Sequence, residues 1–227
     1  MLKATFEKVE DMDYSTREAL NSLRTNLRFC GGDNKVICLT SCRACEGKST
    51  TSINLARVLA ADGKRVILID ADLRKSVLVG RYHIKTEEEI SGLSHYLSGQ
   101  VEKEEIIYES NVKNMDVIFS GPLTPNPTEL LGNEYLQRLI TELKEEYDMV
   151  IIDTPPLGTV IDTAVIVPNC DGVILVIESE TISYKAVQNV KKQLMNTGVK
   201  ILGAILNKVD YNNKPKYNYY YNQYSVK

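Results

Sequence analysis

The sequence predicts an α/β fold: a doubly wound, mostly parallel sheet with helices on both faces. Three observations predict it. Several short runs are apolar throughout, with none of the polar alternation of a half-exposed strand, as strands covered on both faces must be. Stretches with apolar residues at helical spacing lie between these runs. Two of the runs, 65–72 and 149–153, end in acids, and in such folds the carboxyl ends of the strands line the ligand crevice.

Composition allows this fold and narrows its setting. The length of 227 residues suits one large domain, 1–210, and a short tail, 211–227. An apolar content of 43% is enough to bury a core, and a formal charge of −3 gives no pull toward nucleic acid or an anionic membrane. No run is long and apolar enough to cross a bilayer, and no secretory signal opens the chain. The five cysteines, an odd number, fit reduced thiols in the cytoplasm better than a disulfide framework.

Taken in order, Tyr14–Phe29 is an amphipathic helix, with Leu20, Leu23, Leu27 and Cys30 three to four apart and Gly31-Gly32-Asp33-Asn34 as its stop. It precedes the first core strand and must pack outside the sheet. Val36–Leu39 is that strand. It runs into Thr40-Ser41-Cys42-Arg43-Ala44-Cys45-Glu46-Gly47-Lys48-Ser49-Thr50, and a helix over Ile53–Ala60 follows. A strand, a tight loop ending Gly-Lys-Ser and a helix make a phosphate-binding loop. Its backbone N–H groups face the phosphates, Lys48 reaches the β/γ-phosphates and the Ser49 hydroxyl sits on Mg²⁺. The usual first glycine of this pattern is Cys42 here.

Arg65–Asp72 reads as the next buried strand. One acid after it would serve as a helix cap, but Asp70 and Asp72 together point to a site beside the phosphate loop. His83 and His95 lack spaced partners for a metal, the Glu87-Glu88-Glu89 run reads as a solvated helix start, and Gly92–Leu97 as a short helix. Asn114–Phe119 is a strand, followed by a loop with Pro122, Pro125 and Pro127 and by one helix from Thr128 to about Glu146. Met149–Pro156 is another apolar strand, ending at Asp153. A phosphate loop plus such an acid is the two-part Mg-nucleotide site. Asp171–Ile177 and Lys200–Lys208 read as two more buried strands, with a helix over Ser183–Met195 between them. The tail holds six of the thirteen tyrosines, Tyr211, Tyr217, Tyr219, Tyr220, Tyr221 and Tyr224, and no aliphatic residue before Val226. It cannot form a packed element, and reads as either a sticky low-complexity end or a strip of phosphate acceptors.

These residues resemble a bacterial tyrosine kinase of the capsular and exopolysaccharide type, a branch of the MinD/ParA-like P-loop ATPases. The resemblance rests on Glu18…Arg24-Thr25-Asn26, on the phosphate loop, on Ile67–Lys75, on Pro125–Leu131, on Val150–Pro156 and on the tyrosine cluster. It implies ATP and Mg²⁺ as cofactors and autophosphorylation of the C-terminal tyrosines in trans. It implies a ring-forming oligomer made through Glu18 and Arg24, a membrane-embedded chain-length regulator as activator, and a dedicated tyrosine phosphatase. Such a chain sits at the inner face of the cell membrane through its partner. The nucleotide site is then Cys45, Glu46, Gly47, Lys48, Ser49 and Thr50. Ser49, Asp70 and Asp153 hold the metal, and Lys48, Asp70, Asp72 and Asp153 are catalytic, one acid of the Asp70/Asp72 pair taking the tyrosine proton. A free tyrosine has a pKa near ~10, so a nearby carboxylate helps its hydroxyl react at neutral pH.

Three departures from the family pattern stand out. Ala44-Cys45 replaces Pro-Gly, and if that position has positive φ a cysteine costs about 1–2 kcal/mol there. Asn21 replaces the first Arg of the family's Glu-x-x-Arg-x-x-Arg helix motif, which loosens the expected ring. Ser76 stands where the family often has Pro, a change of minor consequence. Cys42 and Cys45 are spaced as Cys-x-x-Cys. They are two small loop residues, or a redox pair with thiols acidified by the helix N-terminus. Two competing readings remain, a MinD/ParA-like positioning ATPase and a catalytically weakened relative acting as a regulatory subunit. A positioning ATPase commonly carries an amphipathic membrane helix or a basic DNA-binding face, and neither is seen.

Overall fold

The computed structural model describes residues 2–9, 12–31 and 33–210. In chain order it runs β1 (Leu2–Phe6), α1 (Tyr14–Phe29), β2 (Val36–Ser41), α2 (Lys48–Ala61), β3 (Val66–Asp70), α3 (Leu78–Arg81), β4 (Ile84–Thr86), α4 (Leu93–Leu97), β5 (Tyr108–Ser110) and β6 (Met115–Ile118). It continues with α5 (Pro127–Leu131), α6 (Glu134–Glu146), β7 (Met149–Asp153), α7 (Asp162–Ile166), β8 (Gly172–Glu178), α8 (Tyr184–Asn196) and β9 (Ile201–Asn207). The strands form one sheet in the order β4-β1-β5-β6-β3-β7-β2-β8-β9. From β6 to β9 every neighbouring pair is parallel, while β5 lies antiparallel to β6 and β4 to β1. The doubly wound sheet expected from the apolar runs is therefore present.

The period of two along each central strand divides its side chains between two layers. Ile37 and Leu39 of β2, Val66 and Leu68 of β3, Ile151 of β7, and Ile174 and Val176 of β8 share one core with Ile53, Leu55 and Leu59 of α2 and with Leu27 of α1. Ile67, Ile69, Val150 and Ile152 point the other way, onto Leu136, Leu139, Ile140 and Leu143 of α6. Cys38, Val173 and Leu175 meet Val190 and Leu194 of α8. Each central strand is buried on both faces, which is why the sequence shows no alternation there.

Several expectations need correction. The single helix expected from Thr128 to Glu146 is two. Pro127 opens α5, Gly132 ends it, and Asn133 caps α6 by accepting from the Tyr135 and Leu136 N–H groups at 3.1 and 3.4 Å. The run Lys200–Lys208 is a strand but not a buried one. As the edge strand β9 it has a partner on one side only and leaves Leu206 55% exposed. The Glu87–Glu89 run is exposed and not helical, and the short helix begins only at Leu93. Strands β4 and β5, three residues each, are too short to declare themselves by pattern, and β1 is also not among the expected strands. β1 is held in part by Asn111, whose side chain accepts from the Phe6 N–H at 2.9 Å and donates to the Phe6 carbonyl at 3.3 Å. Among the described residues no helix is long and apolar enough to cross a membrane.

Candidate active site

The sheet order puts β7 between β2 and β3, so the carboxyl ends of these three strands are neighbours, each about 4.8 Å from the next. The phosphate loop leaves β2, Asp153 ends β7 and Asp70 ends β3. Asp70 and Asp153 are register partners across the β3–β7 ladder. Three separate stretches of sequence thus open on one crevice.

The loop is built around the buried carboxylate of Glu46, which accepts from the Arg43 N–H and, at 3.1 Å, from the Glu178 N–H. Burial raises its pKa from the ordinary value. The end of β9 braces the loop from outside. Asn207 donates to the Glu46 carbonyl at 2.9 Å, and Lys208 donates to the Cys45 carbonyl at 2.7 Å while pairing with Glu178 at 3.1 Å. Gly47 has φ +85°, and a Cβ there would lie 2.1 Å from the Asn207 side-chain nitrogen. The position demands glycine twice over, for conformation and for space. Whereas α1, α6 and α8 begin under side-chain caps from Asp13, Asn133 and Ser183, α2 begins at Gly47 with none. Its first N–H groups are left for a ligand, and the positive end of the helix dipole favours an anion there.

Lys48 is 7% exposed. Its ammonium donates to Asp153 Oδ1 at 2.8 Å and to Ser49 Oγ at 3.3 Å, and Ser52 Oγ donates to the same Asp153 oxygen at 2.9 Å. Asp70 is buried beside them, and burial followed by the charge of Asp153 pushes its carboxyl up to about 7. Asp72 is half-buried at the mouth. Its N–H donates to Asp70 Oδ1 at 3.2 Å, and its own Oδ1 accepts from the Arg74 and Lys75 N–H groups at 3.3 and 3.0 Å. The two acids of this segment therefore have different settings, one deep and one at the rim. Ser49 and Thr50 are half-buried on the first turn of α2, and Thr50 Oγ1 accepts from Arg81 at 2.7 Å. Beside that turn a cavity of about 730 Å³ opens, lined among others by Thr50, Thr51, Asn54, Arg81, Asn207 and Lys208. That size suits a small-molecule ligand.

Of the expected site residues, Lys48, Ser49, Asp70 and Asp153 come together, with Asp72 linked to them through Asp70. Glu18 and Arg24 lie on α1 and are engaged within the chain: Glu18 accepts from Asn21 at 3.2 Å, and Arg24 pairs with Asp62 at 2.9 Å. The six tail tyrosines lie outside the described residues. Cys45 does have positive φ, +69°, so the strain expected of a cysteine there is present. The acidified thiol expected at Cys42 is not. Cys42 is buried, and burial pushes its thiol up to about 11, the opposite of the acidification expected of it. Ser76, read as a minor departure, donates its hydroxyl to Asp70 Oδ2, a bond that proline cannot make. The sequence reading also missed Ser52 and Asp162, since a serine inside a helix and an acid after a loop carry no distinguishing spacing. Among the described residues no three His, Cys, Asp or Glu side chains cluster as a metal cage. The crevice offers two carboxylates and a hydroxyl, the kind of partial set that Mg²⁺ completes with water and phosphate oxygens.

A mostly parallel sheet, a phosphate loop at the end of β2 and acids at the ends of the next two strands, β7 and β3, define a P-loop nucleotide-binding protein of the MinD-like kind. The family model described as an AAA domain matches residues 34–207. The chain is 46% identical over 195 residues to the tyrosine-protein kinase CpsD of Streptococcus agalactiae, covering 86% of this chain and 84% of that one. Its fold matches the kinase domain of the Escherichia coli tyrosine kinase ETK with a TM-score of 0.83 at 34% identity, covering 88% of this chain and 78% of that chain. The septum site-determining protein MinD of Pyrococcus horikoshii, solved with Mg-ADP, matches with a TM-score of 0.65 at 25% identity, over 80% of this chain and 72% of that one. The chain belongs to the bacterial tyrosine-kinase family of capsule and exopolysaccharide biosynthesis.

Proposed function

We propose that this chain is an ATP-dependent protein-tyrosine autokinase that phosphorylates the tyrosine cluster of a second copy and so regulates capsular or exopolysaccharide synthesis and export. Residues 1–210 are the kinase domain and 211–227 the acceptor tail, with Tyr211, Tyr217, Tyr219, Tyr220, Tyr221 and Tyr224 as acceptors. The observation that carries this reading is the convergence of Lys48, Asp153 and Asp70 at the root of an uncapped phosphate loop. Residues 45–50 cradle the phosphates, and the cavity beside Thr50 and Asn207 has room for the nucleoside. Ser49, Asp153 and Asp70 hold Mg²⁺, which supplies charge neutralisation for the transferred phosphoryl group. Asp72, at the rim, accepts the proton of the incoming tyrosine. Positioning supplies most of the rate, because phosphoryl transfer needs little covalent help.

The partners follow from the family: a membrane-embedded chain-length regulator that activates the kinase and holds it at the inner face of the membrane, a tyrosine phosphatase, and further copies in a ring built through Glu18 and Arg24. Cys45 favours a second reading, a relative with slowed turnover, because a non-glycine residue is strained within the phosphate loop. The test is to incubate the purified protein with ATP and Mg²⁺, with and without the cytoplasmic end of its membrane partner, and to blot for phosphotyrosine. Signal that disappears in Lys48→Met and on deletion of 211–227, and that returns on the Lys48→Met chain when the two variants are mixed, supports transfer in trans. ATP hydrolysis without phosphotyrosine would sink the kinase reading.

A further inference from the structure

Asp162 has no part in the chemistry just described, yet its side chain is fully buried at the start of α7. Arg74 grips it with two parallel bonds, Nε to Oδ2 at 2.6 Å and Nη2 to Oδ1 at 2.9 Å. Thr128 Oγ1 donates to the same Oδ1 at 2.6 Å, and Arg74 Nη2 donates to that hydroxyl at 3.1 Å. Burial alone would raise the Asp162 pKa, but the bonds from Arg74 and Thr128 outweigh it and hold the carboxyl below its usual range. A charge-assisted, bidentate pair of the half-exposed Arg74 with a buried carboxylate fixes orientation as well as distance, and lysine cannot replace arginine in it.

The three members of this clamp come from three loops at the crevice. Arg74 follows Asp72 on the turn after β3, Asp162 closes the loop after β7, and Thr128 sits at the start of α5 after the proline-rich loop. Ala71 and Leu73 sink the β3 turn into the core, and the Ala71 N–H donates to the Asp153 carbonyl at 2.8 Å. Those contacts set its depth. Among the described residues the side chains of Asp72 and Ser76 hydrogen-bond within 70–78, while that of Arg74 reaches other elements. We infer that Asp162 is a positioning residue. By holding Arg74 it aims the Asp72 carboxylate at the mouth of the crevice, and by holding Thr128 it ties that aim to the loop carrying Pro122, Pro125 and Pro127. The inference rests on the kinase reading above.

Displacing a reacting group by about 1 Å can cost on the order of 100-fold in rate. The variant Asp162→Asn keeps the shape and sets an amide against the guanidinium. It should lower kcat for tail phosphorylation by about tenfold or more. The KM for ATP and the affinity for a fluorescent ADP analogue should stay within about threefold, because Lys48, Ser49 and Asp153 are untouched. Thr128→Val, which strands no buried charge, should lower kcat by a few-fold with an unchanged melting temperature. Arg74→Lys combined with Asp162→Asn should be no slower than the worse single variant, as expected of two residues that act as one unit. A folded Asp162→Asn protein with kcat within twofold of wild type overturns the inference. So does a loss of nucleotide affinity equal to the loss of kcat, which marks general support of the fold, and so does full additivity of the double variant. Failure of the kinase reading looks different: the wild-type control itself then yields no phosphotyrosine, and this inference falls with it.

Discussion

Replacing Asp70 by Asn should stabilise the nucleotide-free protein while abolishing its activity. Asp70 is 2% exposed and faces Asp153 across one ladder step, so its negative charge is held away from water beside another. Its carboxyl is pushed from 3.8 to about 7, which corresponds to ~4 kcal/mol of disfavoured ionisation. The unfolded chain releases this proton near pH 4 and the folded chain near pH 7. Between those values the native state holds more protons, so stability falls as pH rises. The penalty is absent below about pH 4 and complete above about pH 7. An amide at this position can still accept from the Asp72 N–H and meet the Ser76 hydroxyl, which can turn to accept. Allowing half of the gain for imperfect replacement leaves about 2 kcal/mol, or about 4–8 °C in Tm for a domain of this size. The assay is thermal unfolding in EDTA without nucleotide, from pH 5 to 8.5. The wild type should lose more stability than the variant between pH 5 and about 7, with their difference shrinking toward pH 5 and level above about pH 7. A variant that melts below wild type at pH 8, or a gap independent of pH, refutes the argument.

Cys45→Gly removes a side chain from a left-handed residue, and after the entropy glycine gains on unfolding it should stabilise by about 0.5–1 kcal/mol and tighten nucleotide binding, read by calorimetry with ADP and Mg²⁺. Gly47→Ala should abolish nucleotide binding. Asn207→Ala in the same chain relieves the 2.1 Å collision but not the φ of +85°, and should restore only part of it. An alkylating reagent at pH 8 should modify exposed Cys45 well before buried Cys42, as mass spectrometry of timed digests would show, and the opposite order would contradict the burial described here. In EDTA without nucleotide, Ser76→Ala should carry the loss of stability with rising pH further toward alkaline pH, because the hydroxyl that favours the Asp70 anion is lost.

The central sheet was legible because its strands are buried on both faces: a run such as Val66–Asp70 has no other way to satisfy five consecutive buried positions. The phosphate loop and the Asp70 and Asp153 strand ends were legible because their chemistry fixes both residue type and place on a strand. The edge was not. Tyr108–Ser110 and Ile84–Thr86 are three residues each, and short strands are specified by their neighbours more than by their own pattern. Gly132-Asn133 was hidden inside a continuous leucine stripe, where the cap bonds of Asn133 rather than any loss of periodicity break the helix. Cys42 was left open between a small loop residue and a redox partner because spacing reports the nearness of two thiols and says nothing of the apolar cluster one of them points into. Asp162 was invisible for a related reason: its meaning lies in Arg74, 88 positions away.

The last strand does a second job through its final side chain and the lysine that follows. Asn207 and Lys208 take the backbone carbonyls of Glu46 and Cys45, so those oxygens are turned toward β9 before any ligand arrives. Much of the ordering that a flexible loop would undergo on capture is therefore already complete in the fold, and a newcomer spends less of its interaction energy on it. In the sequence Val209 and Asp210 are all that separates this brace from Tyr211, the first of the proposed acceptors.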